Sequence, residues 1–115
     1  MHRLLAVLLL APLPALADAP EVVAVEAART GTEWRFAVTV RHADAGWDHY
    51  ADAWAVLDAD GTEIARRTLL HPHVDEQPFT RSLGGVALPE GTRSVHVRAH
   101  DTVHGWGEAV EVALP

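Results

Sequence analysis

The sequence contains no cysteine, no lysine and no asparagine. Without cysteine the chain has no disulfide, no blue-copper centre and no lipid anchor on an N-terminal cysteine. Without asparagine it cannot be N-glycosylated. A small domain of this kind must therefore be stabilised by its apolar core, with a metal ion as the other available aid.

The first 17 residues have the pattern of a secretory signal peptide. A basic start ends at Arg3, an apolar run covers residues 4–10, and residues 15–17 give a small-x-small cleavage site after Ala17. The run is too short and too interrupted by proline to span a membrane, and no later run is long enough. We predict a periplasmic or secreted protein whose residues 18–115 form a single domain.

Charge limits the partners of that domain. Removal of residues 1–17 leaves eight arginines against sixteen acidic residues. Such an acidic surface argues against nucleic acid and against anionic lipid, and it is compatible with cations.

Seven short β-type segments recur about every ten residues, and no segment after residue 17 has a helical pattern. In one segment Trp34, Phe36, Val38 and Val40 alternate with polar or small residues, which predicts a strand with one buried face. Asp-Gly at residues 60–61 predicts a tight hairpin turn, and Arg66-Arg67 predicts a bulge. The segments cover residues 21–26, 34–41, 53–57, 63–70, 79–83, 95–100 and 110–114. This spacing is typical of an antiparallel β-sandwich.

The last part of the chain resembles a known fold. Leu88-Pro89-Glu90-Gly91-Thr92, followed by Val95-x-Val97-x-Ala99 and Gly105-x-Gly107, resembles the second half of a fibronectin type III domain. The chain departs from that group at Ser94, where a tyrosine is usual. The resemblance implies a seven-stranded immunoglobulin-like sandwich of an uncharacterised bacterial exported family, and it implies no particular activity.

In such a sandwich the connections alternate between two ends, so three loops should share one pole. These loops cover residues 43–50, 71–78 and 101–107. The pole they form, with the adjoining strand ends, would collect six of the seven histidines after residue 17, namely His42, His49, His71, His73, His100 and His104. The opposite pole has no histidine, and this asymmetry points to a site.

The predicted site is a metal site. Histidines at i and i+2 on an extended segment point to the same side, so His71 and His73 could ligate one ion. His104 would be a third ligand, and His49 or His100 a fourth. Nitrogen and oxygen ligands without sulfur favour Zn²⁺ or Cu²⁺. The alternative for each histidine is a structural hydrogen bond to backbone or carboxylate.

Other residues of this pole are assigned supporting roles. Asp48 would orient the His49 imidazole, while Asp101 and Glu76 would be nearby acids. Trp47, Tyr50 and Trp106 could form a stacking platform for a sugar or peptide, or could cap the core. His42 is predicted to be a satisfied, partly buried histidine, and His96 to face solvent. The same loop face could thus contact a protein or glycan partner, and no catalytic residues are predicted because no serine or threonine lies on a recognisable nucleophile turn.

Overall fold

A computed structural model describes residues 19–115, and the predicted signal peptide and its cleavage site lie outside those residues. The described part is all-β and contains eight antiparallel strands in two sheets. The strands are β1 (Glu21–Thr30), β2 (Glu33–Arg41), β3 (Ala51–Leu57), β4 (Glu63–Thr68), β5 (Phe79–Val86), β6 (Ser94–Asp101), β7 (Gly105–Trp106) and β8 (Val110–Ala113).

The strands form two sheets of unequal size. One sheet has the order β1-β2-β5, and the other has the order β4-β3-β6-β7, with β8 also paired to β6. The predicted count of seven strands was wrong, because β7 is an extra two-residue strand within the loop that follows β6. The sheets contain three and five strands rather than the four and three of a constant-type immunoglobulin domain. The immunoglobulin-like assignment stays a prediction.

Local patterns explain most of the pairing. The turn after β3 is the predicted hairpin: Gly61 has φ 84° and donates its backbone N–H to the carbonyl of Asp58 at 3.0 Å. This turn pairs β4 with β3. The predicted bulge at Arg66-Arg67 was wrong, since both residues pair regularly with β3 and the register shift leaves Ile64 as the extra residue.

The core lies between the inner faces of the two sheets. Every second residue of β2 from Trp34 to Val40 is buried, as the alternation predicts, and the same is true of β6 from Val95 onward. Trp54 and Phe36 are the largest side chains that are almost fully buried. Burial of such apolar side chains contributes roughly 1.5–3 kcal/mol each, so the core can hold the fold together without a disulfide.

The inner-face alternation continues past the apolar residues at one end of each sheet. His42 directly follows β2 on the buried parity, and it is 4% exposed. Asp101 ends β6 on the buried parity, and it is 0% exposed. The two sheets therefore bring a histidine and an aspartate face to face where the core ends.

Candidate metal centre

Asp101 lies at the centre of a buried histidine cluster. Its Oδ2 atom is 2.9 Å from Nε2 of His42, 3.3 Å from Nε2 of His49 and 3.0 Å from Nδ1 of His104. Its Oδ1 atom accepts the backbone N–H groups of Val103 and His104. One carboxylate oxygen thus faces three imidazole nitrogens that come from two different loops and a strand end.

Hydrogen bonding controls the charge of this carboxylate. Burial by itself would raise the pKa of Asp101, because it disfavours the charged form. The hydrogen bonds from the backbone and ring of His104, the backbone of Val103 and the ring of His49 together outweigh that effect. They hold the pKa of Asp101 well below its usual range, so the group is an anion at neutral pH.

His42 has a carboxylate at each ring nitrogen. Its Nδ1 is 2.6 Å from Oδ1 of Asp44 and its Nε2 is 2.9 Å from Oδ2 of Asp101, and all three side chains are at most 1% exposed. A neutral imidazole has one N–H and one lone pair, so it can donate to only one of the two carboxylates. The other contact needs a second ring proton, a protonated carboxyl group or a cation.

Two of the three donor–donor distances suit a shared metal ion. Ligand atoms of His42, His49 and Asp101 all lie within 4.8 Å of one another. Two donors that are each about 2.1 Å from one ion stand about 3.0–3.4 Å apart at right or tetrahedral angles. The contacts of Asp101 Oδ2 with the imidazoles fall at or close to that range. The widest pair of donors, up to 4.8 Å apart, must close to about 4.2 Å or less for both atoms to bind one ion, and the three side chains could then hold a divalent cation.

The cluster is closed on one side and open on the other. The side chains of His42 and Asp101 are 1% and 0% exposed, whereas those of His49 and His104 are 27% and 37% exposed. The His49 ring packs on both neighbours, with centroid distances of 4.8 Å to His42 and 4.9 Å to His104. An ion could enter from the His49 and His104 side.

The three predicted loops do meet at this pole. His49 from the β2–β3 loop and His104 from the loop after β6 both contact Asp101. The β4–β5 loop joins them through the backbone N–H of His73, which donates to Oδ2 of Asp44 at 2.7 Å. The loop convergence that the sequence predicts is therefore present in the structure.

The structure does not bring His71 and His73 to the cluster. Their rings contact each other at a tilt of 35° with centroids 4.7 Å apart, and the His73 ring stacks on Phe79 at 3.9 Å. Nε2 of His73 accepts a hydrogen bond from Arg81 at 2.8 Å, and Nδ1 of His71 donates to the carbonyl of Pro72. The i, i+2 spacing brings the two rings together, but those hydrogen bonds occupy one nitrogen of each.

His73 is instead a buried, weakly basic histidine. Burial lowers the pKa of His73, and the neighbouring charge of Arg81 and the His71 ring lower it further. Its Nδ1 is buried and has no hydrogen-bond partner among the described residues. Glu76, predicted as an acid near the site, instead lies 3.6 Å from the Arg81 guanidinium, in an exposed ion pair.

His100 lies on the outer face of the five-stranded sheet. Its Nδ1 is 2.6 Å from Oδ1 of Asp52, and its ring meets the edge of Trp106 at 4.9 Å. Trp106 also lies under the guanidinium of Arg98, at 4.3 Å. His100 has the parity opposite to Asp101, so its side chain points away from the space between the sheets.

The aromatic residues of the predicted platform are separated in the same way. Trp47 and Tyr50 form an edge-to-face pair with centroids 5.6 Å apart, and Trp47 is 67% exposed. Trp106 packs with His100 on the outer sheet face instead. Asp48 is exposed, and within residues 19–115 its side chain makes no hydrogen bond to His49.

Sequence reasoning missed two residues of the site. His42 was assigned a structural role and Asp44 no role, yet both lie in the buried network around Asp101. The signal that could have found His42 is parity, because His42 and Asp101 both continue a buried strand face as polar residues. A polar residue on a core face needs a buried partner.

Comparison with known proteins gives one sequence relative and a set of structures with this fold. No protein-family model matches the chain. The relative is a "Putative lipoprotein" of Halomicrobium mukohataei, 48% identical over 77 residues, which are 67% of this chain and 37% of that protein. The chain thus spans little more than a third of the length of this relative. The relative comes from an archaeon, so the prediction of a bacterial family finds no support.

Among solved structures, a superoxide reductase in the oxidised state matches with TM-score 0.54 and 14% identity, over 84% of this chain and 90% of that one. The superoxide reductase of Nanoarchaeum equitans matches with TM-score 0.55 and 16% identity, over 86% and 94%. A hypothetical protein of Pyrococcus horikoshii OT3 matches with TM-score 0.55 and 14% identity, over 84% and 88%. At these identities the likeness shows the fold alone. Within residues 19–115 there is no helix long and apolar enough to cross a membrane. The chain shares the two-sheet fold of the superoxide reductases, with a buried His/Asp cluster that could hold a metal ion.

Proposed function

We propose that the chain binds a divalent transition metal ion through His42, His49 and Asp101, with His104 as a further donor. The observation that carries the proposal is the set of three side chains whose ligand atoms lie within 4.8 Å of one another. Two imidazoles and a carboxylate, without sulfur, suit Zn²⁺ or Cu²⁺. Such an ion would replace a proton between His42 and Asp101.

The test is a titration of protein purified without a histidine tag, together with its metal analysis. Zn²⁺ and Cu²⁺ should bind the wild type with a dissociation constant below about 1 mM, and His49→Ala should weaken binding at least tenfold. The matched control is His71→Ala with His73→Ala, which removes two histidines of the same pole outside the cluster. Equal loss in that double variant would favour the ligands predicted from sequence, and no binding by the wild type would exclude the proposal.

Histidine ligation also predicts a pH dependence. Ligation requires the neutral imidazole and protons compete with the ion for it, so affinity should be lower at about pH 5 than at about pH 7. An isothermal titration series across that range measures this. A constant affinity would contradict histidine ligation.

The fold likeness selects one reaction to assay. The matched superoxide reductases make superoxide the first substrate to test, and the exposed side of the cluster at His49 and His104 would admit a small ligand. Zinc does not change oxidation state, so the assay applies to the copper-loaded protein. If the copper-loaded protein consumes superoxide and Asp101→Asn does not, the centre is a redox site. If the protein consumes superoxide only at the rate of free Cu²⁺, the centre is not a redox site.

A second candidate function is a contact surface for a protein or glycan. The large hydrophobic residues that are exposed in residues 19–115 all lie in the three loops of this pole, and they are Trp47, Leu70, Val74 and Val103. Exposed apolar side chains that adjoin one another form the kind of patch that marks an interaction surface. Trp47→Ala should then weaken partner capture and leave metal affinity unchanged. If Trp47→Ala weakens neither partner capture nor metal binding, metal binding stays the one proposed function.

A further inference from the structure

Asp44 lies in the β2–β3 loop and contacts the His42 ring on the side away from the candidate metal position. Its side chain is 0% exposed, and its two oxygens contact three nitrogen atoms, two of which are backbone N–H donors. Oδ1 accepts the backbone N–H of Ala51 at 3.0 Å and lies 2.6 Å from Nδ1 of His42. Oδ2 accepts the backbone N–H of His73 at 2.7 Å. Two backbone donors from different segments thus fix the direction of this carboxylate.

A fixed carboxylate selects the tautomer of the imidazole that it contacts. The neutral ring can donate to only one of its two carboxylates, so an ion bound at Nε2 beside Asp101 would leave the ring proton on Nδ1, where Asp44 accepts it. The Nε2 lone pair then points at the position beside Asp101 where an ion would bind. A carboxylate behind a ligating imidazole also raises its basicity and holds the ring orientation.

We propose that Asp44 is the positioning residue of the metal site, which holds His42 with its Nε2 lone pair toward the ion. This inference rests on the proposed metal binding. It also gives the β4–β5 loop a role other than the predicted one. That loop supplies His73 N–H to Asp44, and its Gln77 Oε1 accepts the backbone N–H of His42 at 3.0 Å. In this proposal the β4–β5 loop holds His42 in place through hydrogen bonds and supplies no metal ligand.

Gln77 links the backbones of His42 and His73 through its side-chain amide. While its Oε1 accepts from His42, its Nε2 donates to the backbone carbonyl of His73 at 2.9 Å. His42, Asp44, His73 and Gln77 therefore form a closed ring of hydrogen bonds between two loops. Such a ring lowers the cost of ordering His42 when an ion binds, because its orientation is already fixed.

The matched comparison is Asp44→Asn against Asp48→Asn. Both changes remove one carboxylate from the same loop, but Asp48 is exposed and is the residue that the sequence assigned to orient His49. Competition titration with Zn²⁺ should show affinity lowered about 10–100-fold in Asp44→Asn and changed less than about twofold in Asp48→Asn. Equal effects in the two variants would mean that Asp44 changes the affinity only through its negative charge, and would overturn the inference.

The second measurement needs no variant. Two-bond ¹H–¹⁵N correlation spectra of the zinc-loaded wild type should show His42 coordinated through Nε2 with a proton retained on Nδ1. A purely structural Asp44 would not require that pattern, and coordination through Nδ1 would overturn the inference even if Asp44→Asn does not fold. Failure of the wild type to bind Zn²⁺ or Cu²⁺ would overturn the proposed function and this inference together. Normal wild-type binding with unchanged affinity in Asp44→Asn would overturn the inference alone.

Discussion

Replacement of Asp101 by asparagine tests whether this side chain is a metal ligand. The change preserves the shape of a side chain that is 0% exposed, and the remaining carbonyl oxygen can still accept the N–H groups of Val103 and His104. It removes the anionic oxygen that faces His42, His49 and His104. The three imidazoles then lose their shared acceptor and any ion loses its carboxylate ligand.

The expected magnitude follows from known zinc sites. Structural zinc binds with roughly 10–16 kcal/mol through four ligands, so one ligand contributes about 3 kcal/mol, which is about a hundredfold in affinity. Competition titration with a chromophoric chelator measures a change of that size. Asp52→Asn is the control, because it removes a carboxylate that bonds His100 on the outer sheet face. Affinity that falls equally in both variants, or in neither, would refute the assignment of Asp101 as a ligand.

Three further predictions concern protons and packing. In metal-free protein the depressed pKa of Asp101 stabilises the fold above about pH 4, so the free energy of unfolding should decrease as pH falls below that value, and less so in Asp101→Asn. The His73 ring should titrate below its usual value near 6.5 in NMR spectra; because its folded pKa is lowered, the unfolded chain takes up the proton first and stability decreases as pH drops through about 6.5. Gly107→Ala should lower the melting temperature, because the added Cβ would lie 2.3 Å from the carbonyl oxygen of Pro20, while Gly84→Ala meets no neighbour within 4 Å and should change it little. An equal effect of the two glycine changes would contradict the predicted clash.

The sequence predicted which loops meet at the pole better than which side chains form the site. Strand alternation from Trp34 to Val40 and the turn at Gly61 follow from local rules, and both are present in the structure. The convergence of three loops follows from alternation of the connections between two ends. None of this requires knowledge of which strands pair, so it could be derived without a structure.

The choice of ligands could not be derived in the same way. His71-Pro72-His73 had the most suggestive local spacing, but its rings are occupied by each other, Phe79 and Arg81. The cluster instead joins His42 and Asp101, which are 59 positions apart and belong to different sheets. Their meeting depends on how the sheets pack, and sequence spacing carries no information on that packing.

The apolar core and the His/Asp cluster occupy separate parts of the space between the sheets. Trp54, Phe36 and their neighbours form the buried apolar core, while His42 directly follows β2 and Asp101 ends β6. The metal site forms only when the two sheets have packed against each other, because its donor atoms are far apart in the unfolded chain. Ion uptake would therefore follow folding, and the occupancy of a given molecule would record the metal supply of its surroundings after it folded.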